Sequence, residues 1–224
     1  MVLKTFQNVP IFINETINFI VELSKTEKIS RIGLSGGTTP KPIYEKLARN
    51  TEINFRNIEF YQVDERYIDK NHPDSNYKMI FESLIAPIAP KLKEFYYFDT
   101  TLEITDCLEK YEKILKQIPQ QSFDLIILGI GKDGHTASLF PNSKMLAETE
   151  KLTAHTQTQK FAVKDRLTIT FPMIMKSKNL LLLLQGKDKK KTLDAFLNSN
   201  KTTNEFPAKK LLEHNNLQVF YCEA

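Results

Sequence analysis

The sequence predicts an α/β fold built on a mainly parallel central sheet. Three observations carry this expectation. Short apolar runs alternate with helix-like segments along all 224 residues, the pattern of successive β-α-β units. The runs, with Leu180–Leu184 the densest, are apolar on both faces, as strands covered by helices on each side must be. The seven glycines fall in only three places, each at the end of such a run.

In chain order, the pattern gives a helix near 11–26 and a strand over 29–34 (ISRIGL). A helix over 40–49 opens on Pro40, because a first helical residue has no intrahelical use for its N–H. A strand follows over 58–63 (IEFYQV), then helices near 75–86 and 102–117. The run 123–128 (FDLIIL) reads as a strand. The threonine-rich alternation of 151–171 reads as an antiparallel excursion. A strand over 179–185 (NLLLLLQ), helices near 187–197 and 207–214 and a last strand over 216–221 (NLQVFY) complete the chain. No repeat, low-complexity tract or linker divides it, so residues 1–224 read as one domain.

Composition narrows the function. Hydrophobic residues at 41% and charged residues at 26% are usual for a globular enzyme-sized domain. No run approaches bilayer-spanning length, and the N-terminus lacks a signal-peptide pattern. Two cysteines, Cys107 and Cys222, are too few for a disulfide framework, so a cytoplasmic, reducing setting is expected. The net charge of +4 is mild. Its densest cluster, GKDKKK (186–191), reads as a solvated helix face, and no basic stripe or module points to nucleic acid.

Four polar segments sit at predicted strand ends, which share one edge in a parallel sheet and form its ligand crevice. In LSGGTTP, Ser35, Gly36, Gly37 and Thr38 lead from strand to helix, where backbone N–H groups and hydroxyls can cradle an anion. No Walker lysine pattern follows, so a sugar phosphate fits better than a nucleoside triphosphate. In VDERY, Asp64, Glu65 and Arg66 lie just past a strand, and Arg66 can grip a phosphate or carboxylate. Arg166 starts the strand-like DRLTITF, and Lys187 and Lys189 follow the 179–185 strand.

The fourth segment, GIGKDGH (129–135), spells the glycine pattern of a dinucleotide loop but lacks its physics. Asp133 would repel a pyrophosphate, and Pro141 cuts short the helix that should open there. Those glycines instead hold Asp133 and His135 at the crevice edge. Histidine titrates near neutrality as a residue type, which suits a general base or acid, with Asp133 to orient it or bind substrate. Two residues at i and i+2 are too few for a metal.

Together, LSGGTTP, VDERYIDKNHPDSNY, GIGKDGHTASLFP, RLTIT and GKDK resemble, in order and spacing, the family of 6-phosphogluconolactonases and glucosamine-6-phosphate deaminases and isomerases. The likeness runs from about Ile32 to Lys189. It implies a NagB-like, Rossmann-type three-layer sandwich needing no metal or organic cofactor. The deaminases carry a Phe-Asn-Glu stretch where this chain has Ser138, Leu139 and Phe140, so the resemblance points to the lactonases of the oxidative pentose phosphate pathway. It implies His135 as the base that activates water toward the lactone carbonyl, assisted by Asp133. It also places the substrate and its phosphate among Ser35, Gly36, Gly37, Thr38, Asp64, Arg66, Arg166 and Lys189, without settling which cation holds the phosphate. The alternatives are a deaminase or isomerase on the same fold and a non-catalytic sugar-phosphate sensor. The chain departs from the family at Val163–Asp165, where a proline is common, and at the C-terminal FYCEA. Neither departure is expected to touch the chemistry.

Overall fold

The protein is described by a computed structural model covering residues 1–26 and 30–224. Its strands are β1 (Val2–Phe6), β2 (Arg31–Leu34), β3 (Glu59–Gln62), β4 (Asp64–Arg66), β5 (Glu94–Tyr96), β6 (Leu125–Gly129), β7 (Thr153–Gln157), β8 (Asp165–Ile169), β9 (Asn179–Gln185) and β10 (Leu217–Cys222). The α-helices are α1 (Val9–Thr26), α2 (Lys41–Leu47), α3 (Asn76–Ile80), α4 (Ala86–Ile88), α5 (Ile104–Lys116), α6 (Phe171–Met175) and α7 (Lys190–Asn198).

Seven strands form one parallel sheet in the order β1-β10-β9-β6-β2-β3-β5. Alternation along the strands fills a core on each face. Leu125, Ile127, Leu181 and Leu183 join α1 and α2 on one side, while Ile126, Leu128, Leu180 and Leu182 meet α5 and α7 on the other. The register is therefore fixed from both faces, since a one-residue slip would exchange the two sets. The result is the three-layer α/β sandwich.

From β2 the chain builds outward through β3 and β5, then returns to lay β6 on the other side of β2. The strand order thus reverses between β2 and β6, and the crevice beyond the carboxyl ends of two such strands is where open α/β sheets bind ligands. The two glycine loops, after β2 and after β6, flank that crevice.

The structure differs from the sequence reading in several elements. Asp64–Arg66, just past β3, forms a strand of its own, β4, which pairs antiparallel with β8; β7 completes this second, three-stranded sheet. Strand β1 escaped notice because it is an edge strand with four of its five residues exposed, so it shows no buried face. Strand β5 has only three residues. The segment 207–213 is a 3₁₀ helix, not an α-helix. Helix 75–86 breaks into α3, a π-helical turn at Phe81–Ile85 and α4. The first residue of the expected 29–34 strand, Ile29, lies outside the described residues.

Candidate active site

Strand β6 runs into a turn closed by Gly134 N–H to the Gly131 carbonyl (2.9 Å) and Gly131 N–H to the His135 carbonyl (2.8 Å). This folds the imidazole back over Gly131. A Cβ there would fall 2.1 Å from His135 Nδ1 and 2.8 Å from Asp133 Oδ1, so the glycine is required by its neighbours, not by a cofactor. His135 Nδ1 lies 2.5 Å from Asp133 Oδ1. Burial pushes the Asp133 carboxyl up. The hydrogen bond and charge of His135, with Lys160, outweigh this and hold it well below the usual carboxylate range.

Asp133 is therefore an acceptor, and the hydrogen shared with His135 belongs to Nδ1. In the neutral ring that leaves a lone pair on Nε2, which has no hydrogen-bond partner among the described residues. Phe140 and Phe161 flank the ring at 4.9 and 5.8 Å between centroids.

Facing this dyad across the cavity are the β2 loop, the start of α3 and two guanidinium groups. A Cβ on Gly36 would land 1.9 Å from Asn76 Oδ1, so the glycine lets the β2 loop lie against the start of α3. Asn76 Nδ2 donates to the Asp64 carbonyl at 2.9 Å. Glu65 anchors the junction, accepting from Gln62 Nε2, Ser75 Oγ and the N–H groups of Arg66, Asn76 and Tyr77 at 2.7–3.0 Å. Burial pushes its carboxyl up against those bonds, so this buried acid is a structural knot. The hydroxyl of Ser35, itself buried, has no partner among the described residues, and the residue lines the cavity.

Arg66 and Arg166 are paired residues across β4 and β8. Arg66 Nη1 donates to the Asp74 carbonyl, and Arg166 Nε donates to the Val163 carbonyl at 3.1 Å. Arg166 thus contacts the Val163–Asp165 segment, where the chain departs from the family, through a main-chain carbonyl that any residue there would offer. Burial, then the charge of Arg66, pushes the Arg166 guanidinium down from its ordinary value. Lys189 Nζ reaches the Ile130 carbonyl at 2.7 Å, and burial likewise pushes its ammonium down.

The ten residues that the family resemblance implies for the site all line one cavity of about 670 Å³, a volume suited to a small phosphorylated ligand. Lys187 is not among its walls. Ser138 lies in the wall but is locked: its hydroxyl donates to Asp64 Oδ2 at 2.7 Å, and Thr156 and Thr168 hold its backbone. Sequence reasoning missed Asn76, Lys160 and Phe161. The serine–asparagine pair that opens α3 was a usable signal for Asn76. Nothing local marks Lys160 or Phe161.

The cavity of this α/β sandwich thus holds a histidine–aspartate dyad with an open ring nitrogen, able to accept a proton, and two arginines. The chain belongs to the family described as glucosamine-6-phosphate isomerases/6-phosphogluconolactonase, which it matches over residues 11–220. It is 40% identical to a probable 6-phosphogluconolactonase of Dictyostelium discoideum, over 92% of this chain and 89% of that one. The crystal structure of the Thermotoga maritima 6-phosphogluconolactonase superposes with a TM-score of 0.84 at 28% identity, covering 100% of this chain and 99% of that one. A monomeric glucosamine-6-phosphate deaminase gives a TM-score of 0.85 at 21% identity, covering 99% and 97%, a likeness of fold alone.

Proposed function

We propose that this chain hydrolyses 6-phospho-D-glucono-1,5-lactone to 6-phosphogluconate, the ring-opening step of the oxidative pentose phosphate pathway. The observation that carries this reading is the open Nε2 of a His135 ring held by Asp133 in the same cavity as Arg66 and Arg166. The names of its relatives support it, as does Ser138-Leu139-Phe140 in place of the deaminase Phe-Asn-Glu.

The proposed reaction balances on one histidine. Nε2 takes a proton from water as its oxygen bonds to C1, and the carbonyl electron pair moves onto oxygen. The resulting oxyanion collapses, the bond from C1 to the ring oxygen breaks, and the imidazolium returns its proton to that oxygen. The new carboxylic acid then releases a proton to solvent. Asp133 keeps the Nδ1 hydrogen in place and stabilises the transient imidazolium. General-base help of this kind is worth about 10²–10⁴-fold, enough for an ester already activated by its ring. No covalent intermediate is needed, which suits a Ser138 committed to Asp64.

The substrate phosphate is assigned to the wall formed by Gly36–Thr38, Arg66 and Arg166, and the sugar ring spans toward His135. The reading also carries a cytoplasmic setting, consistent with two buried, unpaired thiols. Among the described residues no helix is long and apolar enough to cross a membrane. The test is a rapid assay with freshly generated lactone, corrected for spontaneous hydrolysis, beside a second assay for ammonia release from glucosamine 6-phosphate. Lactone turnover without ammonia supports the proposal. Ammonia release without lactone turnover replaces it with the deaminase, and tight sugar-phosphate binding without either reaction replaces it with a sensor.

A further inference from the structure

The turn between β7 and β8 is a component of the site that the sequence did not reveal. Its base is closed by the Thr158 N–H donating to the Lys164 carbonyl at 3.1 Å. Inside, the Lys160 N–H meets Thr158 Oγ1 at 3.2 Å, and Arg166 Nε holds the Val163 carbonyl. Held at these points, the tip lies over the dyad, and two consecutive residues touch its two members. Lys160 Nζ is 3.1 Å from Asp133 Oδ2. The Phe161 ring meets His135 edge-on at 5.8 Å and carries the Arg166 guanidinium on its face at 5.5 Å.

Stability does not explain this arrangement. The Lys160 side chain is 59% exposed, and ion pairs made by such lysines contribute only about 0–1 kcal/mol. Phe161 is 42% exposed, so its burial adds little to the core. The carboxylate between them is different: Asp133 is only 14% exposed, and its two oxygens are divided between His135 and Lys160.

The charges around the imidazole sort cleanly. On its own loop stand Asp133 and Lys132, and Lys132 is paired with Asp188 at 2.8 Å. From the segment after β9 comes Lys189, turned to the Ile130 carbonyl. On the second sheet lie Arg66, Arg166 and Asp64, whose carboxylate accepts from Ser138. On β7 and β8, His155 and Asp165 pair with each other at 2.7 Å. Lys160 is the cation bonded directly to the dyad's carboxylate.

We infer that Lys160 is a positioning residue for the dyad: by holding Asp133 Oδ2 it fixes the carboxylate's orientation and offsets part of its charge. A bare Asp133 would bind the imidazolium more tightly and keep His135 protonated, useless as a base, to higher pH. Phe161 keeps the turn seated and shields the ring edge from water. Because Arg166 rests on Phe161, the same turn joins the dyad to the wall assigned to the phosphate.

This inference rests on the general-base reading of His135, so its test includes a readout that needs no substrate. The His135 ring nitrogens are followed by ¹⁵N NMR across a pH series in the unaltered protein, Lys160→Met and Lys160→Arg, with His135→Gln used only to assign the signal. Lys160→Met is expected to move the His135 titration midpoint upward by about half to one pH unit at low salt. High salt should shrink that shift because the lysine is exposed, and Lys160→Arg should leave the midpoint near its original place. The acidic limb of the kcat/KM profile for lactone should move in parallel. An unmoved midpoint in Lys160→Met, or an equal shift in Lys160→Arg, overturns the inference. If the NMR shift occurs but the protein does not hydrolyse lactone, the charge coupling stands and the proposed function fails.

Discussion

Arg66 on β4 and Arg166 on β8 stand directly opposite one another across an antiparallel pair. Like charges in that position oppose pairing, yet each guanidinium spends a donor on a backbone carbonyl and keeps others for the cavity. Under the proposed function, the pair would meet the substrate's phosphate. Replacing either residue with Met should raise KM for the phosphorylated lactone about 10–100-fold, the effect of losing a charge-assisted hydrogen bond. The unphosphorylated glucono-1,5-lactone should respond little. An equal loss with both substrates in steady-state kinetics would show that the arginines do not bind the phosphate.

The same wall should bind inorganic phosphate in the absence of substrate. Ligand that binds only the folded state stabilises by about 2.7 kcal/mol at a hundredfold excess over Kd. Thermal denaturation should therefore show Tm rising with phosphate beyond a chloride control of equal ionic strength. The rise should vanish in Arg166→Met; persistence there would place the anion elsewhere.

Gly131→Ala tests what the glycine pattern is for. The new methyl would overlap the His135 ring, so the dyad must shift while the sheet beneath it does not. A displacement of about 1 Å in a reacting group can cost on the order of 10²-fold. We expect kcat to fall by about that much with the circular dichroism spectrum unchanged. Full activity in the variant would show that the close approach is not needed.

Much of this architecture was legible in the sequence because parallel strands buried on both faces leave continuous apolar runs, as at 123–128 and 179–185. The glycine clusters marked both sides of the crevice, since a close approach such as that of Gly131 to His135 excludes every side chain. The unread parts share a cause. Strands β1 and β5 are an exposed edge and a three-residue fragment, without a buried periodicity to read. The pairing of Arg66 with Arg166 and the contact of Lys160 with Asp133 join residues 100 and 27 positions apart, through a second sheet that no local pattern announces.

Asp124 offers a pH test of the fold itself. Its Oδ2 accepts from the N–H groups of Ser30 and Arg31 at 2.9 and 3.0 Å, and Lys178 pairs with Oδ1 at 2.7 Å. Burial pushes this carboxyl up, but Lys178 and the backbone donors outweigh burial and hold it below its ordinary value. A carboxyl depressed on folding stabilises above its unfolded pKa of about 3.9 and loses that contribution as pH falls through the folded value. Asp124→Ala should therefore be less stable by about 2–4 kcal/mol at neutral pH, measured by urea denaturation. The gap should narrow as pH falls through the folded value. A gap of constant size across that range would assign the loss to packing instead of charge.

The central claim is that His135, held by Asp133, is the base that activates water. Its most direct test is single-turnover hydrolysis of fresh 6-phosphogluconolactone by His135→Ala, with binding of 6-phosphogluconate measured in parallel. The account predicts unchanged product affinity and a rate about 10²–10⁴-fold lower. Hydrolysis at a near-normal rate by that variant would contradict it.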